Sequence, residues 1–334
     1  MMYPLRFESL FKRYIWGGHR LAEVLKKQIG EQSAAESWEI VDHQDNQSVV
    51  SFGDLAGKSL KQLIADHGLD LLGEVAFQQI SSNDLPPHLK NRFPLLLKFL
   101  DANRNLSVQV HPDDAMGARL SPPDLGKTEA WYVMHADPGS KIFAGLKTGT
   151  TQAAFQDAIE SNNTESLLHS FEPKKGDCVF IQAGTLHAIG SGLLIAEIQQ
   201  ASNTTFRVYD WGRVDDSGMP RPLHIAKAIE ATDFDRGPVT PEVYRTSPLN
   251  QWQAILDCDK FAMNRVVFDK PVETGGDGRF RILAVTQGAM TVSGDPSGLP
   301  MNLGDTMLLP ACLAPVTLNP VNGDVEVLEF LTLG

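Results

Sequence analysis

Residues 174–187 read KKGDCVFIQAGTLH, and residues 302–315 read NLGDTMLLPACLAP. Both stretches open on Gly-Asp, run through an apolar segment of strand length, and turn, at Ala183-Gly184 in the first and at Pro310 in the second. Only the first goes on to a histidine, His187. One pattern written twice implies two related units, of which one keeps a histidine and the other has lost it. The segments around each copy are short and apolar: GKTEAWYVMHA (126–136), LLIAEIQQ (193–200), FAMNRVVF (261–268) and VEVLEFLTL (325–333). Gly, Asp and Pro separate them. Many short strands with frequent turns predict a mainly β chain of jelly-roll type.

Two helical segments interrupt the strands. Residues 59–73 follow Ser59, a helix-capping residue, and end near Gly73. Residues 150–171 begin at Thr150 or Thr151, place Phe155 and Ile159 four apart, and break at Asn162-Asn163. A shorter helix is expected in HIAKAIEAT (224–232), and a linker of mixed polarity over 239–252. This divides the chain into 1–240 and 241–334.

The bulk composition excludes several classes. The 334 residues are 42% hydrophobic and 21% charged, which is ordinary globular usage. A net charge of −12 with no basic run argues against nucleic acid as a partner. No window approaches a membrane span, and the N-terminus has no apolar signal core. The three cysteines, Cys178, Cys258 and Cys312, are far apart and form neither a disulfide framework nor a metal knuckle. The expected setting is soluble and cytoplasmic.

LSVQVHPDD (106–114) raises a chemical question. On a strand, residues two apart share a face, so Ser107, Gln109 and His111 point together, away from Val108 and Val110. Their partner on that face is either a hydrogen-bonding group or a metal ion.

The Gly176…His187 spacing resembles the second motif of the cupin superfamily, with Gln182 in the place of a proline. Gln109-x-His111 resembles the His-x-His of its first motif. Taken together, LSVQVHPDD, LGKTEAWYV and AGTLHAIGSGLLIAEIQQASNTTFRVYDWGR resemble a type I mannose-6-phosphate isomerase in its short bacterial form. ESWEI (36–40) fits the same pattern, so the match runs over residues 5 to 240. The resemblance implies two cupin-type jelly-roll domains with a helical insertion, 1–240 catalytic and 241–334 metal-free. It implies one Zn²⁺ per chain, held by Gln109, His111, Glu129 and His187, although Mn, Co or Fe would suit the same N/O donors. The reaction implied interconverts mannose 6-phosphate and fructose 6-phosphate through an enediol. Lys127 matches the lysine of the family's Lys-x-Glu, an acid/base group, and Arg207 matches an arginine at the active-site mouth. Glu197 is a second acid/base candidate, and Ser107, Lys98 and Arg213 are candidates for the phosphate end. Lys98, inside LLLKFL, equally suits a snorkelling side chain.

Two departures from the family pattern stand out. Asn203 takes the place of an aspartate, and an amide cannot serve as a carboxylate base. Gly126-Lys127-Thr128-Glu129 replaces His-Lys-Pro-Glu, so no histidine precedes the lysine. They leave open a non-catalytic, metal-bearing sugar-phosphate binding or regulatory protein, and an isomerase for another phosphosugar.

Overall fold

The strand Leu95–Ala102 explains the layout of the whole chain. All eight of its residues are buried, including Lys98 and Asp101. Alternation sends Leu95, Leu97 and Phe99 to one face and Leu96, Lys98 and Leu100 to the other. The first set joins an apolar cluster with Met263, Ile282, Ala284, Leu328 and Phe330 from the C-terminal part of the chain. Leu100, on the second face, packs with Trp131, Val179 and Ile195 inside the N-terminal part. A strand covered on both sides needs apolar residues at nearly every position, which is why this stretch shows no polar/apolar alternation.

The computed structural model describes residues 2–83, 85–214, 218–244 and 248–332. Its strands form two sandwiches. In the first, a six-stranded sheet runs Leu10–Lys12, Glu36–Ile40, Leu95–Ala102, Leu193–Gln200, Glu129–Ala136, Cys178–Ile181 in spatial order. Its partner sheet runs Phe206–Tyr209, Val108–Val110, His187–Ile189, Ile142–Leu146, Leu168–Phe171. The second sandwich pairs a sheet of Gln253–Asp257, Ala262–Phe268, Val325–Leu331, Arg281–Gln287 and Thr306–Leu309 with one of Val272–Thr274, Val316–Pro320, Ala289–Val292 and Met301–Asn302. The two larger sheets face each other across the cluster around Phe99 and Phe330, which also takes in Leu63 and Ile64 of the helix Leu60–Leu72. Fully burying such side chains contributes roughly 1.5–3 kcal/mol each, so this shared layer welds the two sandwiches.

The helix Leu60–Leu72 starts as expected: Ser59 accepts from Gln62 N while Gln62 reaches back to Ser59 N, a reciprocal capping box. Thr151, not Thr150, caps Gln152–Glu160. The segment 150–171 is only partly helical. After a short 3₁₀ turn, Thr164–Leu167, the residues Leu168–Phe171 form a strand paired with Ile142–Leu146. Leu168 is buried and Ser170 exposed, and edge pairing overrides the helical spacing there. Asp113 caps a short helix, Asp114–Ala118, by accepting from Met116 N. The helix Glu74–Ser81 has no clear signal in the sequence. The start of the chain also crosses over, since Leu5 and Leu308 exchange two backbone hydrogen bonds of 2.8 Å. Residues 245–247 of the expected linker lie outside the described residues.

Candidate metal centre and active site

The site lies inside the first sandwich, between facing strands. The Val108–Val110 and His187–Ile189 strands pair with Gln109 opposite His187. Glu129 begins the strand on the other sheet, and Lys127 precedes it by two. The ligand atoms of His111, Glu129 and His187 all lie within 4.8 Å of one another. Each of the three residues is 1% exposed.

Both imidazoles are pinned from behind. His111 Nδ1 lies 2.9 Å from the carbonyl of Thr204, and His187 Nδ1 2.9 Å from that of Thr185. A carbonyl only accepts, so each Nδ1 carries the proton and each Nε2 turns its lone pair to the centre, where Lys127 Nζ stands 3.1 Å from that of His111. Burial disfavours the imidazolium and the Lys127 ammonium adds repulsion. His187 is pushed down to about 4, and His111 well below the ordinary histidine value. Glu129 stands opposite, its oxygens 3.4 Å from His187 Nε2 and 3.5 Å from His111 Nε2. Glu129 Oε2 is buried without a hydrogen-bond partner, although Lys127 Nζ lies 2.9 Å away. Two neutral imidazole lone pairs and an unsatisfied carboxylate oxygen facing one point are a donor set for a divalent cation. Gln109 completes it: its Nε2 is 3.3 Å from His187 Nε2 and its Oε1 accepts from Ser107 at 3.1 Å, so turning the amide over offers the oxygen. The residues present therefore fit a metal ion.

In front of this centre is a polar cavity of about 260 Å³, whose wall includes Gln109, Lys127, Glu129, Glu197, Lys98 and Asn203. Lys98 does not snorkel to water. It is 5% exposed and lies 3.1 Å from Glu197 and 3.5 Å from Glu36. Burial alone would lower its pKa, but Glu197, Glu36 and Glu129 outweigh it and hold the ammonium charged. Glu197 is raised above an ordinary carboxylate, by burial and then by the charge of Glu129, against the two lysines. Lys127 Nζ is 3.7 Å from Glu197.

At the mouth stand the arginines. Arg207 donates through Nε to Ser107 Oγ at 3.2 Å and through Nη1 to the Pro222 carbonyl at 3.0 Å. Arg221 also lines the cavity, and grips Asp210 through Nε at 2.8 Å and Nη2 at 2.5 Å. Arg213 is not on the cavity wall among the described residues. Its guanidinium turns to Asp210 and to the Asn105 carbonyl. Three guanidiniums around one carboxylate leave a net positive mouth. Of the expected residues, the structure brings Ser107, Lys98, Lys127, Glu197 and Arg207 to the cavity and leaves Arg213 behind it. Glu36, Arg221, Tyr14 and Trp16 line the cavity and were not singled out as functional from the sequence. Glu36 had a signal: a second charge in a buried strand beside the Lys98 strand, cross-paired near it.

A family model described as the catalytic domain of type I phosphomannose isomerase matches residues 4–127. Mannose-6-phosphate isomerase ManA of Bacillus subtilis (strain 168) is 33% identical over 308 residues, 92% of this chain and 93% of its own. This chain belongs to the type I phosphomannose isomerase family. The probable mannose-6-phosphate isomerase GmuF of the same organism is 41% identical over 230 residues, 69% of this chain and 68% of its own. The fold agrees with that of the Bacillus subtilis mannose 6-phosphate isomerase crystal structure, with a TM-score of 0.86 at 29% identity, covering 98% of this chain and 99% of that one. The mainly β, two-sandwich architecture is thus a family property, and no helix among the described residues is long and apolar enough to cross a membrane.

Proposed function

We propose that the chain interconverts mannose 6-phosphate and fructose 6-phosphate, using one Zn²⁺ held by Gln109, His111, Glu129 and His187. The observation that carries this reading is the pairing of a His-Glu-His donor set with a polar cavity whose mouth is lined by Arg207 and Arg221. A small cavity suits a compact, heavily hydroxylated substrate better than a drug-sized apolar one. The bound ion would act as a Lewis acid on the sugar oxygens of the reacting carbons.

The remaining chemistry belongs to this chain's own groups. The reaction moves one proton from C2 of the aldose to C1 and exchanges the hydroxyl and carbonyl roles of O1 and O2. Glu197 carries the carbon-bound proton: buried beside Glu129, its carboxylate is a stronger base than one in water. Lys127 and the charged Lys98 hold protons at the oxygens as charge shifts between them. Arg207, Arg221 and Ser107 receive the phosphate, the guanidiniums forking onto its oxygens. Arg213 acts through Asp210, which it shares with Arg221. Asn203 on the wall offers hydrogen bonds and not a proton. We assign residues 1–240 to the catalytic domain and 241–334 to a metal-free companion, in a cytoplasmic protein whose cysteines are free.

The test is turnover of mannose 6-phosphate by the purified protein, before and after chelation, with metal content measured alongside. Activity lost with the chelator and restored by zinc supports the assignment. A zinc-loaded protein that binds hexose phosphate without turnover makes it a sugar-phosphate binding protein. Turnover of a different phosphosugar alone moves the assignment to that substrate.

A further inference from the structure

The two Gly-Asp stretches can be aligned through the sheets. In the first sandwich, Ile181, four residues after Asp177, sits opposite Glu129. In the second, Leu309, four residues after Asp305, sits opposite Arg281. The next ladder agrees. Glu197 pairs with Trp131, two residues beyond Glu129, and Glu329 pairs with Leu283, two residues beyond Arg281. So does the one after: Glu197 pairs with Lys98, and Glu329 with Asn264. The register of an antiparallel ladder fixes which face each side chain takes, so three agreeing ladders make this a structural equivalence. Arg281 stands where Glu129 stands, and Glu329 where Glu197 stands.

The facing sheet adds the remaining positions. Thr274 pairs with Val316. Beyond it the strand stops, because Gly275 and Gly276 both have positive φ, and Pro315, eleven residues after Gly304 as His187 is eleven after Gly176, packs against Gly276. The counterparts of Glu129 and His187 are thus Arg281 and Pro315, neither of which offers a metal-binding side chain, and the strand of Gln109 and His111 gives way to a glycine turn that delivers Asp277 to Arg281.

The second sandwich nonetheless has a cation there. Arg281 Nε donates to Glu329 Oε1 at 3.0 Å, and its two terminal nitrogens donate to Asp277 at 2.6 and 2.9 Å. Asn264 donates to Glu329 Oε2 at 2.8 Å, and Thr274 Oγ1 donates to Oε1. Arg281 is 8% exposed and Glu329 4%. We propose that Arg281 is the built-in cation of the second sandwich: its guanidinium takes the place that the first sandwich gives to its metal ion, so the C-terminal half is assembled without metal. The equivalence to a metal position rests on the reading of the first sandwich given above. The role of the guanidinium as resident cation does not.

Two measurements decide it. The first uses the full chain with Arg281→Ala, which leaves buried Glu329 without its cation and Asp277 with the exposed Arg279 alone. The melting midpoint is expected to fall by roughly 5–10 °C, since one partner of a buried ion pair is gone. Low-millimolar methylguanidinium should recover at least half of that fall, and equimolar sodium chloride should not. The second compares metal content of the wild type and Arg281→Glu after gel filtration in excess zinc or manganese. Arg281→Glu restores a carboxylate at the Glu129 position beside Asp277 and Glu329 and should carry one ion more per chain than the wild type. A midpoint unchanged in Arg281→Ala, or a fall that methylguanidinium does not reverse, overturns the resident-cation role. A folded Arg281→Glu that binds no additional ion overturns the equivalence with the metal position. If Arg281→Glu does not fold, Asp277→His in the Arg281→Ala background replaces it, with the same readout. Both comparisons count ions relative to the wild type, so the metal content of the first sandwich is read separately, from the wild type alone.

Discussion

Replacing Asp124 by Asn should weaken metal binding at a centre that Asp124 never touches. Its carboxylate sits beneath the loop 202–204, where Oδ2 accepts from Ser202 Oγ and Thr204 Oγ1 at 2.9 Å each and from Asn203 N at 3.3 Å. The buried His43 lies 3.4 Å from the same oxygen, and Arg92 3.9 Å from the other. The loop so held presents the Thr204 carbonyl that fixes His111 Nδ1. Burial raises the Asp124 pKa, but His43, Ser202 and Thr204 outweigh it and hold the carboxyl at about 2 against 3.8. A depression of that size is worth about 2 kcal/mol of folding stability. The group is depressed, so the contribution is complete above the unfolded value and disappears as pH falls through about 2. Asp124→Asn keeps the shape, loses the charge, and turns a donor toward donors. In urea denaturation of metal-free protein at pH 7 the variant should be about 2 kcal/mol less stable, with the gap closing toward acid. In chelator competition its metal affinity should drop about 10–100-fold, the usual effect of losing a group that orients a ligand. Wild-type stability in the variant would refute the charge argument. Lost stability with unchanged metal affinity would refute the relay through Thr204.

Other consequences are more direct. Glu129→Gln removes the only charged donor of the metal set and should lower metal affinity by more than about 100-fold, read by elemental analysis and chelator competition. Arg221→Ala should raise KM for the sugar phosphate about 10–100-fold with kcat nearly unchanged, because it removes a charge-assisted contact to a group remote from the reacting carbons. Arg213→Ala should affect KM less in the same assay, as its guanidinium faces Asp210 and not the cavity. Phe330→Ala, in the layer between the sandwiches, should cost about 3–5 kcal/mol in denaturant titration.

The grouping of the candidate donors was legible because a strand reports its own geometry. Period two puts Gln109 and His111 on one face, and Lys127 and Glu129 on another, before any tertiary structure is known. The repeated Gly-Asp stretch made the two-sandwich plan readable for the same reason: each copy carries its turn and its strand locally. The failures came where two local patterns compete. Leu168–Phe171 follows a helix closely enough to be read as its last turn, yet its neighbour in space is Ile142–Leu146. Nothing within five residues of that segment announces the edge it will join.

The arginines show the limit most clearly. Arg207, Arg213 and Arg221 occupy one turn-rich stretch, and nothing in their spacing says which of them will face the substrate. Asp210 decides. It binds Arg213 through a local i,i+3 contact that draws that guanidinium back to its own loop and to the Asn105 carbonyl. Arg221 reaches the same carboxylate from the far end of the loop and so crosses the cavity mouth on its way. Orientation here follows from the partner each guanidinium meets: Arg213 is held within its own loop, Arg221 crosses the mouth to reach Asp210, and Arg207, equally near Asp210 along the chain, leaves from the strand Phe206–Tyr209 and turns to Ser107. The same reasoning covers Lys98. Its sequence position suited either a snorkelling side chain or an active-site cation, and the choice is made by Glu36 and Glu197 on the two flanking strands. Burial alone would favour the neutral amine, and the flanking carboxylates outweigh it, so the ammonium stays charged on the cavity wall inside the sandwich.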